Sequence, residues 1–178
     1  MAEAAPPPGE VLLDEAGIAD RVTALARAIA PRIDDETVAA VLLTGGIWFA
    51  ADLTRALARE GRWVRFDALW LSSSGDNRTS RGRIGIRAPF QREMAGRRAL
   101  ILDDVFDTGL SLAEAARLAR EAGAAEVLTC VFARKPWPEP RAIAPDFVGW
   151  EAPARYLVGY GLDSAGALRG LPEIRALD

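Results

Sequence analysis

An α/β fold with a central, mainly parallel sheet flanked by helices is predicted by three features of the chain. Short unbroken apolar runs recur: VAAVLL at 38–43, ALIL at 99–102 and VLTCVFA at 127–133. Runs of this length suit strands covered on both faces, as parallel strands are. Stretches of helical apolar spacing lie between them, and strands alternating with helices make βαβ units. The first two runs end in residues fit for a ligand, Thr44-Gly45-Gly46 and Asp103-Asp104, and in such sheets ligands bind beyond the carboxyl ends of the strands.

In chain order, residues 1–10 are rich in proline and alanine and read as a disordered tail, so the single domain is expected to span 11–178. Residues 18–33 place Ile18, Val22, Leu25, Ala26, Ile29 and Ile33 on one helical face. The strand at 38–43 is broken by Thr44-Gly45-Gly46, and residues 47–59 read as a helix. Residues 63–71 form a second strand candidate. The following segment, SSSGDNRTSRGR at 72–83, is long and polar enough to suggest a functional loop, with 84–86 returning as a strand. After the strand at 99–102, a helix is expected over 112–122, stopped by Gly123. Strands follow at 127–133, 147–150 and 156–160, and the tail from Gly161 reads as irregular. No internal repeat or second domain is visible.

Composition excludes several chemistries. The 178-residue chain has no histidine, which removes Ser-His-Asp triads, Cys-His pairs and His-ligated zinc. A bound metal would therefore be held by oxygen, which points to magnesium or manganese. The single cysteine, Cys130, lies in an apolar run and reads as an inert buried thiol. The net charge of −3 argues against nucleic acid as a partner. No apolar run reaches the length of a membrane span, and the N-terminus lacks a secretory signal pattern, so a cytoplasmic protein is expected. Of the 22 lysines and arginines, Lys135 alone is a lysine.

The stretch ALILDDVFDTGLSL, residues 99–112, carries the sharpest chemistry. Its apolar strand runs into Asp103 and Asp104, and Asp107, Thr108, Gly109, Leu110 and Ser111 form the turn into the next helix. Amides of such a turn, with the helix N-terminus, favour an anion. Thr108 and Ser111 add hydroxyl donors, and Gly109 lets the backbone approach closely. Asp103 and Asp104 suit the hydroxyls of a sugar and a magnesium ion. A phosphorylated ribose carries all three features. The plainer alternative, a helix capped by Asp107 or Thr108, explains one acid and leaves the crowded pair without a purpose. A P-loop is excluded because the one lysine follows an arginine rather than a glycine.

At this motif the chain resembles the type I phosphoribosyltransferases, at the signature with which they bind phosphoribosyl pyrophosphate (PRPP). Two further stretches resemble the hypoxanthine-guanine branch. LLTGGIWFAADL (42–53) is similar to its pyrophosphate loop, and PDFVGWEAPARYLVGYGLD (145–163) to its purine-binding hood. The resemblance implies a type I phosphoribosyltransferase fold with a small C-terminal hood at about 136–178. It implies transfer of ribose phosphate from PRPP to a 6-oxopurine, giving a nucleoside monophosphate and pyrophosphate, with magnesium.

By the same resemblance, Asp103 and Asp104 would bind the ribose hydroxyls and metal, Asp107 would be the general base near the purine N7, and Thr108 to Ser111 would hold the 5'-phosphate. Thr44, Gly45 and Arg169 would bind pyrophosphate, and Asp163 would hold a second magnesium. Lys135 would donate to the 6-oxo group, Tyr156 would stack on the base, and the backbone of Leu157 would read its edge. The bond between Leu43 and Thr44 would be a cis peptide, and the family is commonly dimeric or tetrameric. The physical reading agrees on Lys135. A single ammonium fits a carbonyl edge where a forked guanidinium would not, and adenine, with an amino donor there, would be disfavoured.

Three departures stand out. Thr44 occupies a place where many members carry a lysine or arginine. Ser73 and Ser74 align with a serine-tyrosine pair in the lid expected at 72–83. Trp150 and Tyr156 replace phenylalanines. Two alternatives remain open: a PRPP-sensing regulator without catalysis, and a transferase for xanthine or another base.

Overall fold

The computed structural model describes residues 6–72 and 84–177. Six strands form the main sheet in the order β4-β3-β2-β5-β6-β7: β4 (Ile86–Ala88), β3 (Arg65–Leu71), β2 (Val38–Leu43), β5 (Arg98–Phe106), β6 (Glu126–Arg134) and β7 (Phe147–Glu151). All neighbours are parallel except β4, which returns antiparallel to β3. The expected mainly parallel α/β sheet is therefore observed.

Apolar alternation explains the layers. Along β2, Ala39 and Val41 join the core under α1 (Glu15–Ile29) and α2 (Ile47–Arg59), whereas Val38, Ala40 and Leu42 join the core under α3 (Leu110–Glu121). Strands covered on both faces need apolar residues at every position, which is why they read as unbroken runs. Phe49, Leu53 and Leu57 of α2 are fully buried. At about 1.5–3 kcal/mol for each such side chain, they fix the start of α2, and with it the Thr44–Gly46 loop, against the sheet. Asp14 caps α1, its carboxylate accepting from the Gly17 amide at 2.8 Å. Cys130 is buried, and burial pushes its thiol well above the usual range, as an inert core residue requires.

The structure corrects several boundaries. The first helix stops at Ile29 and tightens into a 3₁₀ turn at Ala30–Arg32, with Pro31 inside the turn. The second strand begins at Arg65, and the returning strand at Ile86. The third main-sheet strand is longer than its apolar run, continuing through Asp103 and Asp104 to Phe106. The helix after it starts at Leu110.

Both chain ends differ from the expectation. Glu10–Leu13 forms β1, and Ile174–Ala176, inside the tail expected to be irregular, forms β9. With β8 (Leu157–Val158) they make a second, antiparallel sheet in the order β1-β9-β8. Glu10 pairs with Ala176, and the carbonyls of Pro7 and Gly9 accept from Arg175, so residues 7–10 are held rather than disordered. Among the described residues no helix is long and apolar enough to cross a membrane.

Candidate active site

The site lies at the carboxyl ends of β2, β5 and β6. β5 carries Asp103 and Asp104 side by side, both partly buried. Burial, and then the charge of Asp104, hold the Asp103 carboxyl well above the usual carboxylate range. Burial also raises Asp104, opposed by its hydrogen bonds with Asp103 and the Val105 amide and by the Arg169 charge. Two adjacent buried carboxylates that both prefer a proton are a poor structural device and a good receptor for cations or hydroxyl donors.

Beyond them the chain turns into α3. Gly109, at φ +80°, precedes the helix, and a Cβ there would meet the Phe106 ring at 2.8 Å. No side chain caps this end, so neither Asp107 nor Thr108 is the cap. The Thr108 hydroxyl accepts a long hydrogen bond, 3.4 Å, from the Leu110 amide. Amides of a first helical turn lack intrahelical partners, which leaves this turn suited to an anion.

The Thr44–Gly46 loop is wedged between β5 and the hood. The Leu43–Thr44 peptide is cis, as the resemblance implied. A Cβ on Gly45 would sit 1.9 Å from the Asp104 carboxylate, and a Cβ on Gly161 would sit 2.1 Å from the Gly45 carbonyl oxygen. Backbone, acid and hood therefore meet at van der Waals distance, which only residues without side chains allow. A cavity of about 310 Å³ opens here, lined by Thr44, Ser72, Asp103, Ser111 and Arg169 together with Trp70 and Arg87. Of the residues expected to hold the sugar phosphate and pyrophosphate, it brings together Thr44, Asp103, Ser111 and Arg169.

A second cavity, about 360 Å³, is lined by Asp107, Lys135, Tyr156 and Trp137, with Arg155 and neighbouring prolines. Tyr156 is 49% exposed, and its hydroxyl donates to the Asp163 carbonyl at 3.2 Å. Arg141, which the sequence reading passed over, ties this wall together. Its Nε donates to the Asp107 carbonyl at 2.6 Å and a terminal nitrogen to the Lys135 carbonyl at 2.5 Å. Its guanidinium lies 4.5 Å from the centre of the Phe106 ring. The Lys135 amide in turn donates to the Phe106 carbonyl at 3.1 Å. No sequence signal separated Arg141 from the other arginines.

Arg169 and Asp163 make further contacts. Asp163 and Arg169 are paired with each other, at 2.7 Å, and Asp163 also accepts from the Gly166 amide at 2.6 Å. Arg169 further donates to the Gly161 carbonyl. The Leu157 side chain is buried in the small sheet opposite Ala176 and does not line the second cavity. Ser73 and Ser74 lie outside the described residues.

A mainly parallel sheet with an acid pair and a turn suited to an anion at the end of β5, beside a small second sheet, is an architecture fit for transfer of a sugar phosphate. The sequence profile of the phosphoribosyl transferase domain matches residues 11–165, and the chain belongs to that family. Within it the chain falls in the hypoxanthine-guanine branch and is a pentosyl-transferring enzyme. It is 35% identical over 167 residues to the hypoxanthine-guanine phosphoribosyltransferase of Aquifex aeolicus, covering 93% of this chain and 92% of that protein. To the Bacillus subtilis enzyme of the same name it is 32% identical over 169 residues, covering 94% and 92%. The hypoxanthine phosphoribosyltransferase of Trypanosoma cruzi, solved in complex with the product IMP, superposes with a TM-score of 0.86 at 27% identity, covering 99% of this chain and 98% of that one.

Proposed function

We propose that the chain is a purine-salvage enzyme that transfers the phosphoribosyl group of PRPP to hypoxanthine or guanine, releasing pyrophosphate, with magnesium. The observation that carries this reading is the second cavity, where Lys135, Asp107 and Tyr156 converge. A 6-oxopurine needs a donor to its carbonyl, an acceptor at N7 and a flat surface. The Lys135 ammonium, the Asp107 carboxylate and the Tyr156 ring supply them in that order. Relatives named for hypoxanthine and guanine support the same substrates.

In this mechanism Asp103 and Asp104 accept hydrogen bonds from the ribose hydroxyls, and the turn from Thr108 to Ser111 receives the 5'-phosphate. Thr44, Gly45 and Arg169 face the pyrophosphate. As the anomeric bond breaks, positive charge builds on the ribose as in glycoside hydrolysis, and the buried acid pair lies on the strand that receives the ribose. Asp107 takes the proton that the purine must lose.

The donor set fits magnesium. Among the described residues no group of three acids could hold a metal alone, and magnesium is commonly bound by one or two carboxylates together with substrate phosphates. Asp103 and Asp104 would be those carboxylates, and Asp163 would serve a second ion on leaving Arg169. Bound magnesium would neutralise the departing pyrophosphate. Self-association into a dimer or tetramer belongs to the same reading and is checked by sedimentation velocity.

The test is a spectrophotometric assay with PRPP and magnesium, offering hypoxanthine, guanine, xanthine, adenine and uracil in turn. Turnover of hypoxanthine or guanine without adenine is expected. Lys135→Ala should lower kcat/KM for these purines about a hundredfold or more while the KM for PRPP holds. Preference for xanthine would change the substrate, and PRPP binding without turnover of any base would favour a sensor.

A further inference from the structure

We propose that Arg87, carried on the face of Trp70, binds the pyrophosphate group of PRPP. The inference rests on the proposed function and adds a residue to its pyrophosphate site. Arg87 sits on β4, the antiparallel edge strand, and lines the 310 Å³ cavity with Asp103, Thr44 and Arg169. Its guanidinium carbon lies 5.6 Å from the centre of the Trp70 ring. Trp70 is aligned with Leu43 on β2 and with Ala88 on β4. The stacked pair therefore stands one strand away from the loop that begins at Thr44.

Charge in this cavity makes the argument. Pyrophosphate brings several negative charges toward a floor that already holds Asp103. Thr44 is neutral, and Arg169 is engaged by Asp163 and by the Gly161 carbonyl. Arg87 has no carboxylate partner among the described residues. Among the described residues, it is the lining cation that neither a carboxylate nor a carbonyl engages. A cation–π contact with an indole uses none of the guanidinium N–H donors, and those donors match phosphate oxygens in a forked pair. The stack also restricts the side chain before the ligand arrives, so less freedom is lost on binding.

The experiment compares wild type, Arg87→Ala, Arg87→Ala with Thr44→Lys, and Trp70→Leu. Turnover gives the KM values, and calorimetry gives affinities for inorganic pyrophosphate and inosine monophosphate. Arg87→Ala should raise the KM for PRPP and the Kd for pyrophosphate about ten- to a hundredfold, as expected for a charge-assisted contact. The Kd for inosine monophosphate should stay unchanged, because its phosphate is assigned to the turn at Thr108–Ser111. Thr44→Lys should restore much of the loss, and Trp70→Leu should show a smaller one. An active wild type with unchanged PRPP and pyrophosphate binding in Arg87→Ala overturns the role of Arg87 and leaves the enzyme reading intact. A wild type that binds neither PRPP nor pyrophosphate overturns both.

Discussion

The stretch from Asp103 to Ser111 carries its chemistry in consecutive residues, on one strand end and one turn. The hood is assembled from both ends of the chain: Glu10–Leu13, the segment around Tyr156 to Asp163, Arg169 and Ile174–Ala176. The first region rests on the most buried part of the molecule, since β5 is aligned with β2 on one side and β6 on the other. The second rests on a sheet of two- to four-residue strands and holds unusual backbone. Tyr160, Ala165 and Leu168 all have positive φ, at 49°, 50° and 71°. Such residues cost about 1–3 kcal/mol each and persist where surrounding contacts over-determine them. Here those contacts include the buried Tyr160 hydroxyl, which donates to Asp52 at 3.0 Å, and the Asp163–Arg169 pair. Burial and the Asp52 charge both push the Tyr160 phenol up, so it stays a donor. The first half is held by the core of the main sheet, and the second by short strands and side-chain bonds around strained turns.

The largest expected effect tests the core-anchored half. Asp107→Asn removes the proposed proton acceptor and keeps the size of the side chain. Its turnover should fall about 10²–10⁴-fold, with the Kd for PRPP changed far less. Stopped-flow turnover and calorimetry on one preparation would check this. An unchanged rate would take Asp107 out of catalysis and leave the acid pair as the functional core of that half.

Next comes the seam between the halves. Gly161 is at φ +98°, and its Cβ would strike the Gly45 carbonyl. Gly161→Ala should raise the KM for PRPP about tenfold or more by displacing the Gly45 loop, and should cost about 1–3 kcal/mol in strain. At about 2–4 °C per kcal/mol for a chain of this size, the melting temperature should drop by several degrees. Gly166→Ala is the control, because Gly166 also has positive φ but faces open space. If both variants lose PRPP affinity alike, strain rather than contact with the loop is responsible.

The contrast between the halves also explains what the sequence made legible. The strand-turn-helix at Asp103–Ser111 was readable because its function and its geometry are both local. Even there, the strand ran on under the acids, because polar residues at a site break the apolar pattern without breaking the ladder of hydrogen bonds. β1 and β9 are unreadable in the sequence because each is three or four residues long and is a strand only through distant partners, β1 through β9 and β9 through β1 and β8. Arg141 was unreadable because its role, gripping the carbonyls of Asp107 and Lys135, depends on a turn that brings it back over Phe106. Arg141→Ala should lower kcat/KM for the purine about tenfold, with the KM for PRPP unchanged. Arg141→Lys should recover little, since one ammonium cannot hold two carbonyls and stack on a ring. A purely structural role would lower the melting temperature without separating the two KM values.

The smallest effect is a stability change, and its sign follows from the acid pair. Burial, with the Asp104 charge, holds the Asp103 carboxyl above its unfolded value. The folded protein therefore keeps a proton that the unfolded chain releases. That contribution is fully present below the ordinary carboxylate range and is lost as pH rises through the folded value. Asp104 is raised by its own burial, while the side-chain hydrogen bond with Asp103 opposes that shift. Glu36 and Glu126 shift the opposite way, held down by their hydrogen bonds to arginines, and they favour the folded state at higher pH. A comparison of wild type with Asp103→Asn cancels those two. Melting curves between pH 4 and pH 9, without ligands, should nearly coincide at the acid end. They should separate as pH rises, with Asp103→Asn the more stable by a few degrees. The same variant should bind PRPP with magnesium more weakly. Greater stability joined to weaker binding would mark Asp103 as a group kept for the substrate at the fold's expense. A variant less stable than wild type across the whole range would mean that its contact with the Asp104 amide outweighs the buried charge.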